Sequence, residues 1–413
     1  MSPTRKGEYV HDARLIAGMN HTSKADRCLG CGSSSTIVLH EVRGVPANCG
    51  LLMPTRESAI NCRRGDIRLG FCRSCTLISN LAFDPALLEY SSSYDETQSF
   101  SRTFHGFQRG MAERLIERHC LRQKDVMEIG CGNGEFLGLL CELGANRGTG
   151  FDPAFVEGRA VLAPGLSIQV VKDFYSHQYS GYKVDFVCCN MTLEHIYSPT
   201  VFVENFRCAL RPDAVAFFLL PDAARILAEI AFWDVYYEHC SYYTKSALHH
   251  LFERCGFKVV AISSEYEDQY LSIEARQSDS VGLFKAPVAP RTLRRLEKKA
   301  EFFRDCCEQE ISSWRSTIRA AHQAGRRIAI WGGGSKAVAF LTSLGVQKEV
   351  ECVVDINPRR HNTFVAGSGH QIVAPASLPE YRPDVVIVMN PIYRKEISQS
   401  LDEMALQPEL LTL

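Results

Sequence analysis

A chain of 413 residues with 46 Lys and Arg against 47 Asp and Glu carries a net charge of −1, so no overall field draws it to nucleic acid or to an anionic membrane. The length suffices for two or three domains with cores of their own, and apolar runs such as 214–221 are too short to cross a bilayer. Seventeen cysteines, an odd number scattered through apolar segments, do not read as a disulfide framework; residues 1–15 also lack the apolar core of a leader, so a cytoplasmic protein is expected.

Residues 1–27 are polar. The N-terminal module, 1–83, is marked by two C-x-x-C turns, Cys28-Leu-Gly-Cys31 and Cys72-Arg-Ser-Cys75. Each turn offers two thiolates, and four thiolates in a tetrahedron are what a structural Zn2+ requires. Cys28, Cys31, Cys72 and Cys75 are therefore the expected metal ligands; Cys49, Cys62 and His40 lie between them without paired spacing. Neither turn sits between a strand and a helix, as a redox motif would.

From 84 to 125 the spacing becomes helical and brings Tyr90, Tyr94, Phe100, Phe104 and Phe107 toward the next motif. Residues 126–134, VMEIGCGNG, join an apolar strand carrying Glu128 to a turn with Gly130, Gly132 and Gly134, and a second strand ends at Asp152. Glycines let backbone approach a ligand closely, and an acid at the next strand tip reaches a ribose. The combination resembles motif I of the class I S-adenosylmethionine (SAM) methyltransferases. It implies a SAM site formed by Glu128, Gly130, Gly132, Gly134 and Asp152, with Asp173 and Phe174 flanking the adenine and Asn190 at the end of the fourth strand. Strands at 126–130, 147–151, 167–171, 184–189 and 214–220, then a helix and a final strand pair, predict an α/β domain over 84–280. Its seven-stranded, Rossmann-like sheet is the class I architecture.

Two segments beyond the glycine turn carry acid–base chemistry. CCNMTLEHI, 188–196, ends the fourth strand with Glu194 and His195, and has no N-P-P-Y of the kind used for amino-group transfer. FWDVYYEHCSYYT, 232–244, packs Tyr236, Tyr237, Glu238, His239, Tyr242 and Tyr243 together. This run reads either as an amphipathic aromatic helix with a satisfied histidine or as a substrate-side base with an acid and phenols beside it.

A linker over 278–290 leads to an amphipathic helix at 291–323 with Leu293, Leu296, Ile311, Trp314 and Ile318 on its apolar side. A second strand–turn–helix, RIAIWGGGSKAVAF, places Gly332, Gly334 and Ala337 in G-x-G-x-x-A spacing, with Asp355 ending the next strand. Two further strand-like runs make about half a dinucleotide fold, so 281–413 reads as a linker helix and a small Rossmann-like lid rather than an NAD site. Asn390-Pro391-Ile392-Tyr393 mimics N-P-P-Y in the wrong domain and reads as a turn.

The whole order, with Y-x-E-H (Tyr236, Glu238, His239) after the fifth strand and a G-x-x-x-K turn near the end, resembles the sugar C-methyltransferases that build branched deoxysugars of natural products. The resemblance covers about 28–410. It implies a small-molecule acceptor, C3 of a nucleotide-linked (dTDP) 4-keto-deoxysugar, with His239 as general base and His195 and a tyrosine assisting. Tyr94 is the better match for that tyrosine and Tyr90 the alternative. Carbon beside a ketone is acidic enough for a positioned base; Glu238 would orient His239 or hold a hydroxyl. Methylation of another small acceptor at carbon, oxygen or nitrogen stays open. Zinc-containing ribosomal RNA methyltransferases would need a basic stripe, and a non-catalytic SAM-binding scaffold would not need the intact glycines, Asp152 and histidines.

Overall fold

The computed structural model describes residues 27–159, 162–278 and 288–413, so the reading of 1–27 and most of the 278–290 linker lie outside it. The N-terminal part is an antiparallel ribbon. β1 (Thr36–Pro46) and β2 (Arg64–Cys72) pair from Thr36↔Cys72 to Pro46↔Arg64 around the short α1 (Arg56–Ile60), and β3 (Ile78–Asn80) adds to β2.

Helical structure over 84–125 is confined to α2 (Arg102–His119), which Ser101 caps by accepting from the Phe104 N–H at 3.2 Å. The stretch before it runs from a 3-10 turn at Pro85–Leu87 into irregular backbone, because its hydroxyls hydrogen-bond locally: Ser91 accepts from Ser93 N–H and Thr97 from Ser99 N–H. Tyr90 and Tyr94 consequently sit on a loop rather than a helix.

The central unit follows as β4 (Asp125–Ile129), α3 (Glu135–Gly144), β5 (Arg147–Phe151), β6 (Ser167–Val171), β7 (Val184–Asn190), α4 (Pro199–Arg207), β8 (Leu210–Pro221) and α5 (Ala223–Glu229). Then come β9 (Ser241–Tyr242), α6 (Lys245–Arg254), β10 (Phe257–Glu265) and β11 (Tyr270–Gln277). The sheet order is β10-β11-β8-β7-β4-β5-β6, parallel except for β11. This is the class I methyltransferase sheet, with its crevice where the order reverses at β4 and β7. β9 leaves it and pairs with β3 through Ile78↔Tyr242 and Ser79↔Ser241. The segment 232–243 is thus a 3-10 turn and an extended stitch into the N-terminal sheet, not a helix; the Tyr242 hydroxyl fixes it by bonding both the N–H and the carbonyl of Tyr236.

α7 (Pro290–Gln323) buries Leu296, Ala300, Phe303, Cys307, Ile311 and Ile318 along one face, with Leu293 and Trp314 partly covered. The last unit runs β12 (Ile328–Trp331), α8 (Ser335–Leu344), β13 (Cys352–Val354), β14 (Ile372–Val373), α9 (Leu378–Tyr381), β15 (Val385–Val388), α10 (Arg394–Glu403) and β16 (Glu409–Thr412). Its parallel sheet has the order β14-β13-β12-β15-β16, one strand more than the pattern suggested. The extra strand, β16, is a partly exposed edge without a continuous apolar run. One apolar core joins β1, β2, α5, α7 and this last sheet, so the N-terminal ribbon and the C-terminal unit are packed together rather than strung in line. Among the described residues no helix is long and apolar enough to cross a membrane.

Candidate active site

The carboxyl ends of the parallel strands of both sheets open into one cavity of about 540 Å³, lined by the turn after β4, the ends of β7 and β8, the loop carrying Tyr90 and Tyr94, and the turns after β12 and β15. Such a volume suits a small-molecule site.

On the β4 side, Gly130, Gly132 and Gly134 have φ of 72°, 55° and 90°, which L side chains resist. Gly130 is doubly constrained, because a Cβ there would collide with the Thr192 side chain; the first glycine makes room for the turn after β7. A Cβ at Gly134 would meet nothing within 4 Å, so that side of the backbone faces open space. Asp152 accepts from the N–H groups of Gly132 and Ala154, both at 2.8 Å, and burial pushes it up to about 6. Glu128 is buried beneath the turn; its Oε1 accepts from Asn190 Nδ2 at 2.8 Å, while Glu128 Oε2 and Asn190 Oδ1 have no partner in the chain. Burial raises Glu128 to about 8. Two orphaned acceptors beside an opened glycine turn fit a ligand bearing a cationic amine, as SAM does. Asp173 accepts from Phe174 N–H, Gln178 and Tyr179 at the cavity rim, and Phe174 is 47% exposed there.

Opposite this turn stand the histidines. His195 ends a 3-10 turn after β7, and His239 lies between α5 and β9. Their rings meet edge to face at 4.8 Å, and the Tyr236 ring lies 4.2 Å from His239. Burial lowers His195 to about 4 and His239 well below its ordinary value, so both imidazoles are neutral at pH 7. His239 is 4% exposed, and its Nδ1 has no partner. Of the two tyrosines, Tyr90 places its hydroxyl 3.1 Å from His195 Nδ1; Tyr94 packs against Tyr90 at 5.1 Å and touches neither histidine. Glu238 does not orient His239. It turns toward the N-terminal ribbon, where Asn48 Nδ2 donates to it at 2.8 Å, and burial raises it to about 8.

Residues outside the expected catalytic and cofactor set close the cavity. Lys336, at the start of α8, and Arg225, on α5, both pair with Asp234, which fixes the segment leading to His239. Arg360 donates to Glu96 at 2.9 Å, to the Asp95 carbonyl, and to the Gly333 carbonyl at 3.1 Å; Arg359 and Asn357 hold the Asp95 carboxylate. The loop bearing Tyr90 is therefore clasped to the C-terminal sheet. The G-x-x-x-K spacing pointed at Lys336; no local signal marked Arg360. The Asn390–Tyr393 turn also docks here, with Asn390 and Gln269 exchanging amide bonds at 2.8 and 2.9 Å.

Away from the cavity, Cys28 and Cys75 place their Sγ atoms 3.5 Å apart and Cys31 and Cys72 3.6 Å apart, with all four within 4.8 Å of one another. Thiolates at about 2.3 Å around a tetrahedral zinc have this spacing.

Residues 103–262 match the family described as Methyltransferase domain, and 274–408 match C-methyltransferase C-terminal domain. The C-methyltransferase NovU of Streptomyces niveus is 23% identical over 398 residues, 90% of this chain and 91% of that one. The ubiquinone biosynthesis O-methyltransferase of Actinobacillus pleuropneumoniae serotype 7 is 31% identical over 105 residues, 23% of this chain and 44% of its own length. Among solved structures, 1,6-didemethyltoxoflavin-N1-methyltransferase of Burkholderia thailandensis is 18% identical with a TM-score of 0.34, covering 43% of this chain and 82% of that chain. The class I sheet, the two domain matches in tandem and a relative aligned along nearly the whole chain agree with one another: the chain is a SAM-dependent methyltransferase, similar along nearly its whole length to a C-methyltransferase.

Proposed function

We propose that the protein methylates a carbon next to a ketone, most specifically C3 of a nucleotide-linked (dTDP) 4-keto-deoxysugar, with His239 as the general base. The observation that carries this is the His239 imidazole: neutral, buried, with an unpartnered Nδ1, on the wall of the cavity that faces the glycine turn. A neutral imidazole accepts a proton where a protonated one cannot. When bound against Gly130, Gly132 and Gly134, SAM supplies an electrophilic methyl group. Glu128 and Asn190 would hold its amino group and Asp152 its ribose hydroxyls, with Asp173 and Phe174 beside the adenine. His195, braced by Tyr90, would steady the developing oxyanion. The cavity continues to the turn at Gly332–Lys336, leaving room for the nucleotide of the acceptor. Zn2+ on Cys28, Cys31, Cys72 and Cys75 would hold the N-terminal ribbon, and through β9 the segment that carries His239.

Methyl-labelled SAM offered with 4-keto nucleotide sugars, 2-keto acids, phenols and RNA tests the proposal. The expected product carries the label on carbon beside the ketone of a nucleotide sugar. Label on oxygen or nitrogen of another acceptor would replace this reading.

A further inference from the structure

Of the two buried acids at this site that the chemistry so far leaves unused, Glu238 has one oxygen bonded to Asn48, whereas Glu194 has neither oxygen bonded. Glu194, on the 3-10 turn after β7, is 2% exposed, and neither of its carboxyl oxygens has a hydrogen-bond partner in the chain. Its Oε1 stands 3.9 Å from His239 Nε2, beyond hydrogen-bond range, so neither group is spent on the other. The turn is held in place: Cys240 Sγ donates to the Glu194 carbonyl at 3.4 Å, Thr192 Oγ1 to the Asn190 carbonyl at 3.0 Å, and Met191 takes a left-handed φ of 47°. Backbone of that kind persists only where its surroundings impose it. A carboxylate buried without donors is strongly disfavoured, and burial raises Glu194 to about 8, so it rests as the neutral acid. An uncharged acid and an uncharged base thus line one wall of the cavity. A divalent cation is the other use of Glu194, His195 and His239, whose ligand atoms lie within 4.8 Å of one another, and metal content separates the two uses.

We propose that Glu194 is a second catalytic residue, the acid that donates to the carbonyl oxygen of the acceptor while His239 takes the proton from the neighbouring carbon. This rests on the ketone reading above. The C–H pair becomes the C=C bond, the C=O π pair moves to oxygen, and that oxygen takes the Glu194 proton. The neutral pair becomes imidazolium and carboxylate, which attract across the gap. The enol carbon then forms its bond to the methyl carbon, whose bond to sulfur breaks with the pair left on sulfur. The enol O–H proton returns to Glu194, and His239 releases its proton to solvent. Ketone and SAM have become methylated ketone, S-adenosylhomocysteine and one proton.

Glu194→Gln keeps the size and a donor but has no proton to release. Its kcat should fall about 10²–10³-fold with SAM affinity by calorimetry unchanged. Solvent-deuterium exchange at the acceptor carbon, followed with S-adenosylhomocysteine in place of SAM, should slow by the same factor. If the Gln variant does not fold, Glu194→Asp is read instead; it retains the acid at a greater distance and should slow both rates together by a smaller factor. Full kcat, or slowed turnover with unslowed exchange, would overturn the acid role alone. Two metal ions per wild-type chain falling to one in the variant would make the trio a metal site and overturn it as well. A wild-type enzyme that exchanges nothing and labels a heteroatom would instead sink the ketone reading, and the acid role with it.

Discussion

His195 and His239 meet edge to face, their ring centroids 4.8 Å apart at an interplanar angle of 89°. They come from opposite sides of the fold's main stitch, one after a central strand of the large sheet and one just before β9 joins the N-terminal ribbon. Burial keeps both rings out of water, and hence both neutral.

That arrangement gives the two rings unequal weight. His195→Asn should lower kcat about 10²–10³-fold, as loss of one supporting donor, and Tyr90→Phe less, because Tyr90 acts through His195. Tyr94→Phe should cost least, since Tyr94 reaches Tyr90 but neither histidine. Steady-state rates of the three variants settle the order; a Tyr94 variant slower than the Tyr90 variant would restore Tyr94 to the assisting position.

SAM binding should depend on Asp152 and Glu128 separately. Removing a buried polar partner of a ligand costs about 1–3 kcal/mol, so Asp152→Ala should weaken SAM roughly 10–100-fold by calorimetry. Glu128→Gln, which cannot ionise when the cationic amino group arrives, should do the same. Wild-type affinity in either would move the site.

The four cysteines should carry one zinc per chain by elemental analysis. Cys72→Ser should lose it and with it the folded N-terminal ribbon, because binding energy at a closed thiolate site is folding energy. The far-ultraviolet and denaturation profiles report this; a folded, zinc-free variant would contradict it.

Stability should fall from pH 6.5 to pH 8 in the protein without SAM. Burial raises Glu128, Glu194 and Glu238 to about 8, against an unfolded value near 4.3. Over that interval the folded state holds more protons than the unfolded one, so stability declines as pH rises, by at most about 1.4 kcal/mol per pH unit for each group. The lowered histidines act in the opposite sense, but only below about pH 6.5. Denaturation midpoints at the two pH values measure it. Glu194→Gln should shallow the slope, and a flat wild-type profile would contradict the burial of these acids.

Much of the SAM half was legible in the chain because its signals are local. Glycines that need positive φ, an apolar strand before them and Asp152 at the next strand tip lie within one strand–helix–strand unit, and Glu194, His195, Glu238 and His239 are marked by sequence neighbours. What was not legible depends on partners far apart. Asn48 meets Glu238 across 190 positions, and Arg360 meets Glu96 across 264. No residue-by-residue pattern records that β9 leaves the large sheet, so 232–243 read as aromatic and amphipathic when it is an extended stitch. Tyr94 read as the better match on a helix and Tyr90 as the alternative; on the irregular loop that the serines impose, it is Tyr90 that reaches His195.

The central claim is that a carbon acid is deprotonated at this site by His239. With S-adenosylhomocysteine in place of SAM, and a 4-keto nucleotide sugar in deuterated water, the wild-type protein should wash deuterium into the carbon beside the ketone. His239→Asn should bind both ligands and exchange about 10²–10⁴-fold more slowly, the usual cost of losing a general base. Exchange at the wild-type rate in His239→Asn, with both ligands bound, would contradict the account and move the base elsewhere.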